Sequence, residues 1–380
     1  MPSSSEDEAI IKRLGTLILG RDPVATSSVD LDAGPNTTST LYPKISGKLA
    51  DLQFNIARHS ALAPEVLTEP IPMVGTVKLH GTHADLLVLS NGDIVCQSRN
   101  RAVITPESDN LGFATFCSKR RPQILKLELR IRNRWRKLHP GAEIGDGLVI
   151  LAGEWIGAGI QKGVAIAQLS KRFVLCSIQV AGVWEPIEQY ANVEDAEAMI
   201  LNVSRGGLYH LEYRYTDGGE AFLAEAKALT LAVAAACPFG EALGVEGGGE
   251  GIVWTPAPAS RLPNIPEFWL KTKGEQFIAA RRVPKASQEQ TAGKDGLKTK
   301  AIVFAIEACT DERLEQGWQY LQEMGVQQSM KGMGTLLSWV TKDIEVEEKT
   351  EIEEMKLGKA WKGEVSNIAK PWYERRMMED

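Results

Sequence analysis

Asn91-Gly92 separates two apolar runs rich in β-forming residues, Ala84 to Ser90 and Asp93 to Ser98, and no other short stretch constrains the fold as tightly. Both turn residues tolerate positive φ, so a two-residue Asn-Gly connection follows the twist of a β-hairpin. The run ahead of it, Ile71 to Lys78, reads as a further strand. That arrangement puts Lys78 at the mouth of an antiparallel sheet.

Lys78 lies in Thr76-Val77-Lys78-Leu79-His80-Gly81-Thr82, and the same lysine-to-glycine spacing recurs at Lys44, Lys271 and Lys331. The spacing alone therefore reads as a strand end followed by a turn. A lysine amine with a pKa of about 10.4 is neutral in roughly one molecule in a thousand at neutral pH. To attack phosphorus it needs neighbours that lower that pKa and a charge that screens the phosphate. Gly81, without a Cβ, would let backbone and phosphate approach closely.

The 380 residues suffice for two or three domains, and 43% hydrophobic with 24% charged residues is the make-up of a soluble globular chain. A net charge of −6 gives no global argument for nucleic-acid binding, so such a reading has to rest on local charge. Cys96, Cys117, Cys176, Cys237 and Cys309 are odd in number and widely spaced, which favours reduced thiols over disulfides or zinc. The longest apolar stretch, around Leu229 to Phe239, is too short to span a bilayer, and the N-terminus is Ser/Asp/Glu-rich. The expectation is an intracellular protein, in cytoplasm or nucleus with an organelle left open, and no membrane association.

Residues 1–40 are too polar to bury much apolar surface and read as a mobile extension. After the hairpin come Arg99 and Arg101, either a solvated strand end or a phosphate clamp. Residues 119–139 carry nine Lys or Arg, Arg130, Arg134 and Lys137 among them, against one acid, Glu128. Length favours a helix there, with either a solvated face or a track along a phosphate backbone. Leu148 to Trp155 reads as a buried strand ending in Glu154, and Arg172 to Ile178 as another in which Phe173 on its own reads as core. Trp184 to Asn202 and Asp217 to Ala236 look helical, the second with Asp217 as N-cap. Glu250 opens a strand after Gly247-Gly248-Gly249, and the alternation of Phe268 to Lys273 puts Lys271 and Lys273 on one face. Residues 284–297 read as a polar linker. Leu314, Trp318, Leu321, Leu336, Leu337 and Val340 then recur at helical spacing, giving a small helical domain over 298–380 behind a main domain over 41–283.

Taken together these motifs resemble the covalent nucleotidyltransferase superfamily of ATP-dependent ligases and capping enzymes, and within it the RNA ligase 2 type. The likeness covers roughly residues 42 to 282. It implies an α+β fold: a nucleotidyltransferase domain of antiparallel sheets flanked by helices, followed by an all-helical C-terminal domain. On this resemblance Lys78, flanked by Val77 and Leu79, takes up AMP, and Arg99 engages the reacting phosphate and strand end. Glu154, in Gly-Glu-Trp, binds the ribose; Phe173 stacks on adenine; Glu250 is the metal-associated carboxylate; Lys271 and Lys273 hold phosphate. ATP and Mg²⁺ or Mn²⁺ are the implied cofactors, and RNA with 5′-phosphate and 3′-hydroxyl ends, nicked or duplexed, the implied partner of a monomer. Arg99, Arg101, Arg130, Arg134 and Lys137 are the candidate RNA contacts, and like-charge repulsion from Lys271 and Lys273 is expected to lower the Lys78 pKa.

Two departures from the family pattern stand out. Val77 replaces an acid that reads the adenine amino group, and His83 replaces an asparagine after Gly81-Thr82. Two rivals remain: a capping-type guanylyltransferase that loads GMP, and an inactive ligase-like protein that binds RNA ends through the basic segment.

Overall fold

The structure is a computed structural model that describes residues 41–142, 144, 147–274, 277 and 294–379. The extension expected over residues 1–40, and residues 284–293 of the expected linker, lie outside the described residues. Two compact units divide the chain, Met1–Gly274 and Glu275–Asp380.

The first unit is built on two sheets. One has the order β10-β9-β1-β8, from β1 (Ile71–Lys78), β8 (Leu208–Tyr213), β9 (Gly251–Pro256) and β10 (Leu270–Lys273), with every neighbour antiparallel. The other has the order β3-β2-β4-β5-β6, from β2 (Thr82–Val88), β3 (Ile94–Ser98), β4 (Val149–Ile156), β5 (Arg172–Val180) and β6 (Val183–Glu185). A short β7 (Ile200–Asn202) pairs with β5 in parallel. The hairpin β2–β3 turns at Asn91-Gly92, where Gly92 has φ +82°. Lys78 and the hairpin therefore belong to different sheets, and the chain crosses between them at Leu79 to Gly81.

That crossing explains Gly81. A Cβ there would stand 2.6 Å from the Trp155 carbonyl oxygen and 2.7 Å from Ile156 Cγ2. The close approach the sequence reserves for a phosphate is made instead to the backbone of β4.

Helix α1 (Leu49–His59) buries Leu52 and Ile56. Helices α2 (Phe113–Lys119) and α3 (Arg121–Leu138) follow the hairpin, and α3 buries Ile124, Leu127, Ile131 and Trp135 at spacings of three and four while Leu129 stays exposed. The 119–139 segment is thus helical. Helix α4 (Glu220–Ala235) packs behind the first sheet, with Phe222 edge-on to Trp254 and Thr230 bonded to Thr272 at 2.6 Å. Its N-cap is Gly219, with φ +74°, and Asp217 instead accepts the Gly219 N–H one turn earlier. Helix α5 (Pro238–Glu241) is a single turn.

The helix expected over Trp184 to Asn202 is absent. That stretch holds β6, a 3-10 turn at Ile187–Tyr190 and β7. Ile187, Tyr190, Val193 and Ala198 imitate a helical face and are all buried, but in an irregular loop. Pro186 cannot donate to a ladder, and the Asn202 side chain satisfies the loop by bonding the Tyr190 and Val193 carbonyls.

The second unit is helical: α6 (Lys294–Ala308), α7 (Asp311–Glu323), α8 (Met333–Glu347), α9 (Lys349–Glu354) and α10 (Ala360–Glu379). Leu314, Trp318, Leu321, Leu336, Val340 and Ile344 are buried with Trp361 and Tyr373 in one core. The fold is α+β, with antiparallel sheets flanked by helices and helices at the C-terminal end.

Candidate active site

Register within the first sheet places Lys78 opposite Gly251, and Gly251 opposite Lys273. Paired residues share a face, so both lysines project from one side of the sheet with Gly251 between them. No side chain fits at that position, because a Cβ on Gly251 would stand 2.0 Å from the Thr272 carbonyl oxygen. The carboxylate of the preceding residue fills the gap. Glu250 Oε2 lies 2.6 Å from Lys78 Nζ and 3.4 Å from His80 Nδ1, and Glu250 Oε1 lies 3.0 Å from Lys273 Nζ.

Glu250 is 3% exposed. Burial alone would raise its pKa, but Lys78 and Lys273, with a hydrogen bond and charge from His80, hold it well below the usual carboxylate range. It is an anion clamped between cations. The charge nearest Lys78 is thus a carboxylate, not the like charges expected from Lys271 and Lys273. Lys271 shares the face of Lys273 two residues away, with Leu270 and Thr272 buried on the other side.

Glu154 arrives from the second sheet. It pairs with His83 on β2 and Val174 on β5, and the three side chains share a face. Its pKa is pushed from 4.5 to about 7, first by burial, with Lys78 opposing and Glu250 reinforcing that rise. Among the described residues its carboxylate makes no hydrogen bond or ion pair. A carboxylate held close to lysine and arginine charge, with its oxygens unused, is suited to accept hydroxyl donors of a ligand.

Arg99, exposed just past β3, adds a favourable charge to Glu154 and donates from Nη1 to the Tyr42 carbonyl at 3.4 Å. Val77 and Leu79 are buried; Val77 points away from Lys78, toward Gly206. A side-chain role for Val77 in reading a base does not fit this orientation.

Phe173 is a second correction. It pairs with Trp155, one residue along from the Glu154–Val174 pair, and so lies on the opposite face of the sheet from Glu154. It is fully buried, 5.7 Å from the Phe113 ring, and has no surface on which a base could stack. Cys176, two residues along β5 from Val174, lies on the Glu154 side, where Glu154 and Lys78 both act on its thiol after burial has pushed its pKa up. Tyr42, His80 and Asp85 also stand at the site, with no functional assignment from the sequence. Asp85 is fully buried and binds His83 Nε2 at 2.8 Å, and Tyr42 stacks on the His83 ring with centroids 5.0 Å apart. Only the two-residue spacing of His83 and Asp85 on one strand face was available as a signal.

The basic helix is organised against the phosphate-track expectation. Arg130 donates to the Glu194 and Asn192 carbonyls at 2.8 and 2.6 Å, Arg134 to the Gln189 carbonyl at 2.9 Å, and Arg132 pairs with Glu128. The Arg130 and Arg134 guanidinium groups pin the irregular 186–202 loop, whose carbonyls no regular element satisfies. Arg101 likewise donates to the Ser108 carbonyl at 2.7 Å, while Lys137 is exposed.

A model of the RNA ligase family matches residues 71–273. The chain belongs to the RNA ligase family. The matched span opens at the first residue of β1 and closes on Lys273. Among solved structures, an RNA ligase of Naegleria gruberi with pyrophosphate is 16% identical with a TM-score of 0.40, covering 69% of this chain and 65% of that one. A mutant of that ligase with ATP and Mn is 18% identical with a TM-score of 0.38 over the same shares. An archaeal ATP-dependent RNA ligase is 16% identical with a TM-score of 0.35, covering 83% of this chain and 66% of its own. This RNA ligase-family chain therefore spans about 65% of the length of the Naegleria ligase. No curated protein matches it. No helix among the described residues is long and apolar enough to cross a membrane.

Proposed function

We propose that the protein is an ATP-dependent RNA ligase that joins 3′-hydroxyl and 5′-phosphate RNA ends through a lysyl-AMP intermediate. The observation that carries this reading is Glu250 clamped between Lys78 and Lys273 on one sheet, facing the unused Glu154 carboxylate of the other. In the first step the Lys78 amine attacks the α-phosphorus of ATP, a P–N bond forms, the P–O bond to the β-phosphate breaks and pyrophosphate leaves. The Lys78–Glu250 contact opens and the Lys78 proton passes to water, freeing the nitrogen lone pair for attack. Lys273 and Lys271 lie where they can hold phosphate oxygens, and Glu154 where it can accept the ribose hydroxyls. In the second step a 5′-phosphate oxygen attacks the AMP phosphorus, the P–N bond to Lys78 breaks, and the Arg99 guanidinium would steady the phosphate of the strand end. In the third the 3′-hydroxyl attacks that 5′-phosphate and AMP leaves. Splitting one transfer into three lets each leaving group be activated in turn.

A divalent cation suits this site, since Mg²⁺ takes one or two protein carboxylates and fills the rest of its shell with phosphates and water. Glu250, and Glu154 when ionised, would hold it, and it would supply positive charge against the phosphates. All groups assigned to the first step lie between Lys78 and Lys273, which supports a catalytic domain over 41–283 and a separate helical domain over 298–380. The RNA is proposed to be nicked or duplexed, and the protein a monomer.

Sealing of a nicked RNA duplex bearing a 5′-phosphate, with ATP, GTP or neither, tests the reading. The reading expects ligated product with ATP and Mg²⁺ and none when the 5′-phosphate is removed. Equal labelling of the protein by GTP, with no sealing, would support the capping-type enzyme, and RNA binding without any labelling would support the inactive end-binder.

A further inference from the structure

Residues 41–48 cross from one sheet to the other. The Leu41 N–H donates to Gln97 Oε1 of β3 at 3.4 Å. The Tyr42 ring stacks on His83 and meets Trp184 and Trp269 at centroid distances of 5.4 and 5.8 Å, and its hydroxyl lies 3.2 Å from Ser177 Oγ of β5. Tyr42 also offers the carbonyl that Arg99 contacts. Four residues later the chain has reached the other sheet. Ser46 bridges Leu270 in parallel, its carbonyl accepts the Lys271 N–H at 2.8 Å, and Gly47 lies against the Lys271 side chain. Ser46 Oγ then donates to Asp51 Oδ2 at 2.6 Å, fixing the segment to α1.

The strand it reaches needs such a hold. β10 has four residues, carries Lys271 and Lys273, and sits at the edge of its sheet with β9 on one side only. Short edge strands are among the least constrained parts of a sheet. Ser46 supplies the missing lateral contact at Lys271, and Tyr42 fixes the other end of the same short segment to the sheet that carries Glu154.

We propose that residues 41–48 form a strap that sets the gap between the Lys271–Lys273 strand and the Glu154–His83 face, with Tyr42 as its positioning residue. The proposal deepens the ATP-dependent ligase reading and rests on it. A nucleotide held by phosphate at the lysines and by ribose at Glu154 spans both sheets, and a misplacement of about 1 Å can lower a rate about 100-fold. Tyr42 touches no reacting atom; it acts through the spacing of groups that do.

The test compares wild type, Tyr42→Ala, Tyr42→Leu and Tyr42→Phe in two measurements at a temperature well below every Tm. Tyr42→Leu is included because it keeps apolar bulk should the alanine variant not fold. The first measurement is kcat and KM for self-adenylation, and the second is amide hydrogen exchange at Lys271. Tyr42→Phe keeps the ring and should stay within about 3-fold of wild type, while Tyr42→Ala and Tyr42→Leu should lose about 10- to 100-fold in kcat/KM and exchange the Lys271 amide at least about 10-fold faster. Ile131→Ala, on α3 and far from the strap in sequence, is the control for stability alone and should leave both readings unchanged once the protein is folded. Wild-type kcat/KM in folded Tyr42→Leu overturns the positioning role, with or without faster exchange. An equal loss in Ile131→Ala overturns it too. If wild type forms no lysyl-AMP, the ligase reading fails, and unchanged exchange at Lys271 in the variants would still separately refute the strap.

Discussion

Replacing Glu154 by glutamine should make the protein more stable while removing function, and the structure gives the size and the pH window of the effect. The Glu154 pKa is raised from 4.5 to about 7, burial being the largest cause. A raised carboxylate pKa means that the fold binds the proton more tightly than the unfolded chain does. Below 4.5 both states are protonated and the carboxyl costs nothing. Between 4.5 and about 7 stability falls as pH rises, and above about 7 the full cost of holding an ionised Glu154 is present. That cost is roughly 3 kcal/mol at the conversion of 1.36 kcal/mol per tenfold change, and contact with solvent reduces it to about 1–3 kcal/mol. Glu154→Gln keeps the shape and removes the charge, so at pH 8 it should gain about 1–3 kcal/mol, a rise in Tm of several degrees for a unit of this size. At pH 4.5 the two proteins should unfold together. Thermal and urea denaturation at both pH values measures this, with self-adenylation as the companion assay. The variant should bind ATP poorly at every pH, whereas wild-type binding should weaken as pH falls below about 7 and the carboxylate is protonated. A gain of equal size at pH 4.5 and pH 8, or no gain at pH 8, would refute the reasoning.

Phe173→Ala should cost about 3–5 kcal/mol by opening a cavity beside Phe113 and Trp155, yet leave the KM for ATP of the folded protein within about 3-fold of wild type; a selective loss of ATP affinity at unchanged stability would return Phe173 to the base site. Arg130→Ala with Arg134→Ala should lower thermal stability by freeing the 186–202 loop while the salt dependence of RNA binding keeps its slope, and a shallower slope would mean that these arginines meet phosphates after all. Glu250→Ala should reduce self-adenylation by more than about 100-fold, since it leaves Lys78, Lys273 and His80 without their shared anion, and near-normal labelling would refute the clamp.

Much of the frame could be read locally. The Asn91-Gly92 hairpin, the strand ending at Lys78, the glycine run before Glu250 and the alternation of Lys271 and Lys273 each depend on a few adjacent residues, and each is present. Side-chain destination was harder. Phe173 and Glu154 lie on adjacent strands in a register interrupted by a bulge, and only pairing shows that they face opposite ways. The arginines of α3 leave a solvated face and a phosphate track equally open in the sequence, because the carbonyls that Arg130 and Arg134 serve come from residues 55 to 64 positions away. Trp184 to Asn202 looks helical in sequence, and its buried Ile187, Tyr190 and Val193 do fall three residues apart, with Pro186 a local signal against a helix. Tyr42 gave no signal, since its contacts at His83, Ser177 and Trp269 are all distant in sequence.

The central claim is that Lys78 Nζ takes up AMP. Incubating the protein with labelled ATP and Mg²⁺, and locating the adduct by peptide mass spectrometry, tests it most directly. The account predicts a single acid-labile, base-stable AMP adduct on Lys78 in wild type, and none in Lys78→Ala or in Lys78→Arg, whose guanidinium keeps the charge but is not a usable nucleophile. An adduct on another residue, or undiminished labelling of either variant, would contradict it.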